Sequence, residues 1–192
     1  MTFDTIEKIL SVFPLTKASD WIKHAKGGGF IQITAKVEAS VMVEIGSLVY
    51  GDAWVSGDAR VFGKARVSDT ARVAGKARVF GAARVSDTAR VFGNARVYGN
   101  ARVSGKARVS GDARVSGKAR VSGDAWVYGI VRSDGHCFVA VPCADGERRV
   151  IAGCRYFTYA EAMKHWNKTR KGTPLGDETM AILEYYRSLG QL

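Results

Sequence analysis

Valine occurs at every sixth position from Val37 to Val127, sixteen times without a break. A small residue stands two positions before each valine, and it is alanine in every repeat from Ala53 to Ala125. Alternate side chains of a strand point to opposite sides, so alanine and valine face inward and the residue between them faces outward. A six-residue period therefore predicts a short strand followed by a tight corner, with three such units closing one triangular coil.

This pattern predicts a mainly β protein with a parallel β-solenoid over residues 31–132. Three units per coil give roughly five coils, which would stack to roughly 25 Å at about 4.8 Å per coil. Glycine follows two positions after most valines, as expected for a corner that favours positive φ. Asp69 and Asp87 take that corner position in two repeats, and aspartate tolerates this conformation better than most residues.

Repeat units such as Ala-Arg-Val-Ser-Gly-Lys resemble the hexapeptide-repeat family. The family pattern is small–any–aliphatic–small or glycine–any–any, and about half of the chain follows it. The resemblance implies a left-handed parallel β-helix. It also implies a homotrimer, because hexapeptide β-helices are commonly trimers.

The flanks differ from the repeats in composition. Residues 1–30 predict two short helices, at 5–13 and around 21–24, and three glycines then lead into the first coil. Residues 133–192 predict a ββαα unit with apolar strands at 136–143 and 148–154 joined by a hairpin. Thr158 and Glu161 have the form of a capping box for a helix to about residue 168, and Asp177 can cap a final helix to about 189.

The positive charge of the chain lies on the repeats. The formal net charge is +11, and residues 49–132 alone contribute sixteen basic residues against six aspartates. The position before valine stacks every 18 residues, which predicts three outward columns: Trp54, Arg72, Arg90, Arg108 and Trp126; Arg60, Arg78, Arg96, Arg114 and Arg132; Arg66, Arg84, Arg102 and Arg120. Such ladders suit phosphates, nucleic acid, nucleotides or acidic polysaccharide. Alternatively, arginine is simply the consensus residue of a recently duplicated repeat, with its stem covering the strand below.

One face also carries an aromatic column after the valines, made by Phe62, Phe80 and Tyr98. A contiguous exposed aromatic row needs a reason, and two remain open. The row is either an interface with another subunit or with the terminal helices, or a platform on which bases or sugars stack. The candidate ligand-binding residues are Arg60, Arg78, Arg96, Arg114, Phe62, Phe80, Tyr98, Trp54 and Trp126.

The C-terminal unit carries a second set of candidates. Arg155, Thr158, His165 and Trp166 could line a small pocket, although Thr158 also fits a helix cap and Trp166 a core position. The segments 152–158, 161–166 and 172–179 resemble a module of uncharacterised phage and prophage proteins. This resemblance implies a phage or prophage origin.

Catalysis is not expected from this sequence. Hexapeptide acyltransferases use a histidine on a coil or a projecting loop, whereas this chain has no histidine between residues 25 and 135. The hexapeptide carbonic anhydrases need three such histidines. Cys137, Cys143 and Cys154 lack short Cys-x-x-Cys spacing, so buried thiols fit better than a zinc site. We expect neither a cofactor nor a metal.

The expected location is the cytoplasm of a bacterial host. The odd cysteine count favours reduced thiols, and the sequence shows neither a signal peptide nor a membrane-spanning stretch.

These features together indicate a non-catalytic phage-type binding protein. It would hold an anionic ligand, a nucleotide signal or nucleic acid, on the faces of a trimeric β-helix, in order to counteract host defence by sequestration. Three alternatives remain: an inhibitor of a host or defence protein complex, a structural phage component, and an acyltransferase relative.

Overall fold

The computed structural model describes residues 3–142, 146–153 and 155–192. The helices are α1 (Ile6–Leu10), α2 (Tyr159–Arg170) and α3 (Pro174–Ser188), and a 3-10 helix spans Ala18–Asp20. The strands, in chain order, are β1 (Trp21–Lys23), β2 (Phe30–Gln32), β3 (Lys36–Val37), β4 (Met42–Val43), β5 (Leu48–Val49), β6 (Trp54–Val55), β7 (Arg60–Val61), β8 (Arg66–Val67), β9 (Arg72–Val73), β10 (Arg78–Val79), β11 (Arg84–Val85), β12 (Arg90–Val91), β13 (Arg96–Val97), β14 (Arg102–Val103), β15 (Arg108–Gly111), β16 (Arg114–Val115), β17 (Arg120–Val121), β18 (Trp126–Val131), β19 (Cys137–Pro142), β20 (Arg148–Ala152) and β21 (Arg155–Thr158).

Strands β2 to β18 wind into a parallel β-solenoid with three faces, which confirms the expected fold class. Each strand pairs with the strand three places along the chain. Face 1 holds β3, β6, β9, β12, β15 and β18; face 2 holds β4, β7, β10, β13 and β16; face 3 holds β2, β5, β8, β11, β14 and β17. The coils number nearly six rather than five, because β2 already begins at Phe30 and β18 runs to Val131.

Valine and alanine fill the interior of the coils as the periodicity predicts. Val61, Val79 and Val97 lie in register on successive strands of face 2 and are fully buried. The amide of Arg78 donates to the carbonyl of Ala95 at 2.9 Å, one coil further on. The core is therefore a continuous column, and the residue before each valine faces outward.

The corners confirm the assignment of glycine and aspartate. The corner glycines from Gly51 to Gly123 have φ between 61° and 73°, and Asp69 and Asp87 follow at 58° and 57°. The Asp87 carboxylate accepts a hydrogen bond from the amide of Gly105 at 2.8 Å, one coil above. Thr88 donates its hydroxyl proton to the carbonyl of that same glycine at 2.9 Å. The Ser-Asp-Thr corners thus bind adjacent coils together through side chains.

The N-terminal flank contains one correction. The helix expected around residues 21–24 is wrong, since β1 occupies Trp21–Lys23 and pairs antiparallel with β2. Trp21 is buried and Ile22 is half exposed, an alternation that a strand satisfies and a helix does not. Hydrogen bonds to the edge of β2 stabilise residues 21–23 as a strand.

The C-terminal flank extends face 1. Strand β18 pairs in parallel with β15 and then antiparallel with β19, and β20 and β21 follow antiparallel. The unit is therefore βββαα rather than the expected ββαα, because β21 forms a third strand that the sequence pattern did not predict. Residues 143–145 of the expected hairpin lie outside the described residues.

The two C-terminal helices pack on β19 and β20 through an apolar cluster that includes Phe138, Val150, Trp166 and Tyr186. The final helix starts earlier than expected, at Pro174. Thr173 caps it by accepting a hydrogen bond from the amide of Gly176 at 3.1 Å. Asp177, the expected cap, lies inside the first turn.

None of the helices within the described residues combines the length and apolar composition that a bilayer span requires.

Substitutions at two glycines of one corner column can distinguish the cost of backbone strain from the cost of a steric clash. Gly81 and Gly117 have φ of 70° and 65°, but a Cβ would lie 3.0 Å from the Gly99 amide nitrogen only at Gly81. A left-handed conformation costs a non-glycine residue roughly 1–2 kcal/mol. We expect Gly117→Ala to lower the unfolding free energy by about 1 kcal/mol and Gly81→Ala by about 2 kcal/mol or more. Urea denaturation measures both, and equal losses would show that the close approach of neighbouring corners contributes nothing.

Candidate anion-binding surfaces

Arginine ladders run along all three faces of the solenoid. On face 2, Arg60, Arg78, Arg96 and Arg114 stand in register on consecutive strands. Each lies between two inward-facing residues, so its side chain points to solvent and is exposed or half-exposed. Among the described residues, no carboxylate lies within 4.0 Å of an arginine between residues 60 and 120. The ladders therefore carry uncompensated positive charge.

Three of the six repeat aspartates, Asp69, Asp87 and Asp112, have partners other than arginine. Asp69 accepts hydrogen bonds from the Ser68 hydroxyl at 2.9 Å and from the Asp87 amide at 3.1 Å. Asp112 accepts from the side-chain amide of Asn94 at 3.0 Å. These carboxylates stabilise the stack of corners and leave the arginines unpaired.

Arg66 shows the cost of this arrangement. Its guanidinium lies 4.7 Å from the centre of the Phe3 ring, under the N-terminal segment. Burial lowers its pKa first, and the positive charge of Arg84 in the same column lowers it further. The like charges of one ladder therefore disfavour each other's ionised form.

Phe62, Phe80 and Tyr98 form a stacked ladder of rings beside the arginines of face 2. Their centroids are 4.7 and 4.8 Å apart, and the ring planes differ by only 3° and 2°. The rings are half-buried and cover each other's faces. A base cannot insert between them without breaking this stack. The outer face of Tyr98 is the exception, because Ser116 follows it in the column.

The structure does not bring Trp54 and Trp126 together. They occupy the same column of face 1 but are separated by Arg72, Arg90 and Arg108. Trp54 is 43% exposed and lies 5.5 Å from the Arg72 guanidinium. Trp126 is 59% exposed, and its carbonyl accepts a hydrogen bond from Gln191. The two tryptophans are therefore separate exposed residues on one face.

Three of the four C-terminal candidates line one pocket, named here the basic pocket. Its volume is about 480 Å³. The pocket lies between strands β19–β21 and the second half of α2, and it is lined by Arg132, His136, Phe138, Ala152, Gly153, Arg155, His165, Trp166, Thr169 and Arg170. Three arginines and two imidazoles line it, and the Asp134 carboxylate lies next to two of them: it accepts hydrogen bonds from Arg132 and lies 3.4 Å from His136 Nδ1.

Thr158 has a different role. Its hydroxyl accepts a hydrogen bond from the amide of Glu161, and the Glu161 carboxylate accepts one from the amide of Thr158 at 2.8 Å. This is the capping box of α2. Trp166 combines both interpretations, because it packs on Phe138 at 5.3 Å, is only 5% exposed, and still borders the basic pocket.

Arg132 is a correction to the predicted columns. It lies beyond the last coil strand and does not extend the face 2 ladder. Its side chain is 2% exposed and donates to both carboxylate oxygens of Asp134 and, at 2.7 Å, to the Thr179 hydroxyl. The sequence signal for this departure is the Ser-Asp-Gly segment that follows Arg132. A turn there ends the repeat and places Asp134 beside the arginine.

Arg132 itself stands at the wall of the basic pocket. Its guanidinium lies 5.5 Å from the centre of the Phe138 ring. Phe138 and Arg170, like Arg132, are pocket residues that the sequence pattern did not reveal.

The cysteines divide into described and undescribed positions. Cys137 is buried, as expected for a core thiol, and burial raises its pKa. Its thiol donates to the carbonyl of Asp112 at 3.2 Å. Cys143 and Cys154 lie outside the described residues. Within the described ranges, no group of three histidine, cysteine, aspartate or glutamate side chains could hold a metal ion.

An apolar groove of about 700 Å³ lies on the opposite face of strands β19–β21 from the basic pocket, on the side of the coils. One wall comes from the coil corners at Tyr98, Ser116 and Lys118, and the other from β20 and β21. The groove is lined by Tyr98, Gly99, Ser116, Gly117, Lys118, Ile151, Gly153, Arg155 and Tyr156. Gly153 and Arg155 border both cavities.

Comparison with known proteins supports the repeat architecture. Four overlapping segments, residues 89–105, 95–111, 107–123 and 113–129, match the family model of the YdcK beta solenoid repeat. The matched segments lie in the upper coils and cover about a fifth of the chain. No curated protein matches the chain, and no solved structure does either. The chain is therefore similar to repeat β-solenoids over those coils.

The contact between Arg132 and Asp134 predicts an acid-sensitive C-terminal unit. Hydrogen bonds from Arg132 hold the pKa of Asp134 well below its usual range. A lowered folded-state pKa stabilises the protein fully above the unfolded value of about 4, and the contribution is lost as the pH falls below it. The helical circular dichroism signal of wild type should therefore melt at progressively lower temperature between about pH 5 and pH 2, relative to Asp134→Asn.

At pH 7 the Asp134→Asn protein should melt at a lower temperature than wild type, because a buried guanidinium loses its anionic partner. Asp124→Asn, which removes an exposed corner carboxylate, serves as the control. An identical pH dependence in wild type and Asp134→Asn would contradict the assignment.

Proposed function

We propose that this protein is a non-catalytic binding protein that holds an extended anion along its arginine ladders. The phosphate backbone of nucleic acid is the ligand class that fits this surface best. One observation carries the proposal: eleven arginines follow each other at six-residue intervals from Arg60 to Arg120, and within the described residues none has a carboxylate partner.

The energetics of the ladder support an anionic ligand. Two unit charges one coil apart, at about 4.8 Å, repel by roughly 1 kcal/mol in water and by roughly 3–4 kcal/mol at the effective dielectric of a protein surface. A polyanion laid along the column relieves this repulsion at every step. Like charges stacked without a ligand or counter-ions would only destabilise the solenoid.

Face 2 is the favoured surface. Lys26 and Lys76 add positive charge beside Arg60 and Arg78 around a depression of about 270 Å³, in which Asp58 is the one acidic lining residue. Face 2 is also the sheet that no flanking strand extends, since β1 joins face 3 and β19–β21 join face 1. A linear ligand can therefore follow the whole column of four arginines.

The ladder of rings favours a protein contact over base stacking. Because Phe62, Phe80 and Tyr98 cover each other's faces, mainly their edges remain for a partner. We take this row as the contact between subunits of a homotrimer, as the resemblance to hexapeptide-repeat proteins implies. A contact with a host protein complex would use the same edges and is the second candidate.

The biological setting belongs to the same proposal. The coils are taken as those of the hexapeptide-repeat family, and the last sixty residues as a module of phage origin. On this basis the protein acts in the cytoplasm of a bacterial host, where sequestering an anion counteracts host defence. The resemblance of residues 152–179 to phage and prophage proteins is the support for that role.

The proposal predicts a steep salt dependence that is specific to one face. A fluorescein-labelled 20-nucleotide oligo(dT) is titrated with protein, and anisotropy gives Kd between 50 and 300 mM NaCl. Contact with four arginines corresponds to a slope of log K against log salt of about −3. The variant Arg60→Glu, Arg78→Glu, Arg96→Glu should reduce the slope to about −1 and weaken binding at least tenfold at low salt.

The matched control is Arg84→Glu, Arg102→Glu, Arg120→Glu on face 3, which changes the net charge equally. This control should retain most of the binding. Equal losses in both variants would show a mere effect of net charge, and no binding by wild type would overturn the proposal. Native mass spectrometry of the protein fresh from cells gives subunit number, with three copies expected, and any anion that it retains.

A further inference from the structure

The apolar groove lies at the corner between faces 2 and 3, at the upper end of the coils. Residues 116–118 form part of one wall, and strands β20 and β21 form the other. Ile151 and Tyr156 pair across these strands, so both belong to the side that faces the coils. Ile151 joins the coil core, whereas Tyr156 is 45% exposed. The volume of the groove, about 700 Å³, is in the range of small-molecule sites.

The groove occupies the place of a coil that the chain does not form. In the coil below, the amides of Tyr98 and Asn100 donate to carbonyls one coil further on, at 2.9 and 2.8 Å. The equivalent amides of Ser116 and Lys118 have no acceptor among the described residues. A Cβ on Gly117, between them, would meet nothing within 4 Å. Two backbone donors are therefore available at the wall of an open space.

The ladder of rings ends at the same place. Phe62, Phe80 and Tyr98 stack at steps of 4.7 and 4.8 Å, and Ser116 takes the fourth position of the column. Because serine is small, the upper face of Tyr98 has no ring on it, and Tyr98 lines the groove. A planar ring of a ligand can cover that face and extend the stack.

The groove favours a negative group beside such a ring. No acidic residue is among those that line it, and Lys118 has no carboxylate partner within the described ranges. The Arg149 guanidinium adds positive charge, since it lies 5.6 Å from the centre of the Tyr156 ring. Arg155 is not one of these groups, because it alternates with Tyr156 along β21 and belongs to the side that faces the helices.

We propose that the groove binds a planar aromatic carboxylate. Its ring stacks on the upper face of Tyr98, beside Ser116. Its carboxylate accepts hydrogen bonds from the unused amides of the corner, close to the Lys118 ammonium, and such charge-assisted bonds are stronger than neutral ones. The site uses neither the arginine ladders nor the basic pocket. It uses the face of Tyr98, whereas the proposed trimer contact uses ring edges, so neither proposal depends on the other.

Calorimetry with three matched probes tests the ring and the charge separately. The full-length protein is titrated with 2-naphthoate, with its saturated analogue decahydro-2-naphthoate and with the neutral 2-naphthalenemethanol, in 300 mM NaCl to screen the ladders. The first probe should bind most tightly. The saturated acid should bind at least tenfold more weakly because it cannot stack, and the alcohol about fivefold more weakly because it lacks the charge.

Absence of 2-naphthoate binding would overturn the proposal. Equal affinity for the saturated acid would do the same, since it would show attraction by net charge without stacking. Equal affinity for the alcohol would overturn the assignment of the carboxylate to the corner amides. Binding of 2-naphthoate by a protein that does not bind oligo(dT) would support the groove alone.

Variants of the ring column locate the ligand ring. Ser116→Phe places a fourth ring where Phe62 and Phe80 have theirs in lower coils, so the fold should accept it without a lower melting temperature. The new ring takes the place of the ligand, and 2-naphthoate affinity should fall at least tenfold. Tyr98→Ser should cause a similar loss by removing the stacking partner.

Phe62→Ser is the matched control, because it removes the ring at the other end of the same ladder. It should leave 2-naphthoate affinity unchanged. Equal effects of Tyr98→Ser and Phe62→Ser would show that the loss comes from the ladder as a whole, and would overturn the assignment. Unchanged affinity in Ser116→Phe would overturn it as well.

Amide hydrogen exchange locates the carboxylate. Saturating 2-naphthoate should slow exchange at the amide of Ser116 or Lys118 at least tenfold. The amide of Ser122 also lacks an acceptor among the described residues, at the upper edge of face 3, and should be unaffected. Lys118→Gln should weaken 2-naphthoate about fivefold and leave the alcohol unchanged. Bound ligand without slower exchange at either corner amide would overturn the site.

Discussion

Backbone hydrogen bonds between coils, at a constant register of 18 residues, are the constraint on which the rest of the structure depends. The amide of Phe80 donates to the carbonyl of Val97 and that of Tyr98 to Val115, each at 2.9 Å. Because the register never shifts, most residues meet the same residue type in the next coil. Valine packs on valine, glycine corners approach glycine corners, and ring stacks on ring. The same register forces arginine beside arginine, where it gives the fold no benefit.

Repetition of the same residue has opposite consequences in the core and on the surface of the solenoid. Identical residues in the core improve the packing, since equal volumes repeat without gaps. Identical charges outside repel, and two of the corner carboxylates that could relieve them, Asp69 and Asp87, accept hydrogen bonds from backbone amides one coil further on instead. The polyanion that we propose as the ligand would match this surface in regularity and oppose it in charge.

The coils could be derived from the sequence because their information is local and repeated. Each six-residue repeat identifies its two inward residues, the outward residue between them and the corner, and the same pattern occurs in sixteen repeats. The junction could not be derived in this way. Arg132 fits the column by numbering but turns inward, because Asp134 and Thr179 hold it, and Thr179 is 47 residues away. Strand β21 and the start of α3 likewise depend on neighbours that are distant in the chain. The candidates Arg155, His165 and Trp166 were recognisable by residue type, whereas their meeting in one pocket, and the position of Arg155 near Tyr98, required the packed structure.

The C-terminal strands also determine where the stacking stops. Cys137, Val139, Val141 and Ile151 join the same apolar cluster as the coil valines, so they cover the upper end of the core. On face 1 the parallel strands give way to antiparallel ones at β19, and a further parallel coil has no matching edge there. Open-ended repeats with exposed strand edges invite end-to-end polymerisation into fibres. Because the upper end is covered, no further coil can add there, and the highly repetitive sequence does not lead to end-to-end polymerisation through that end.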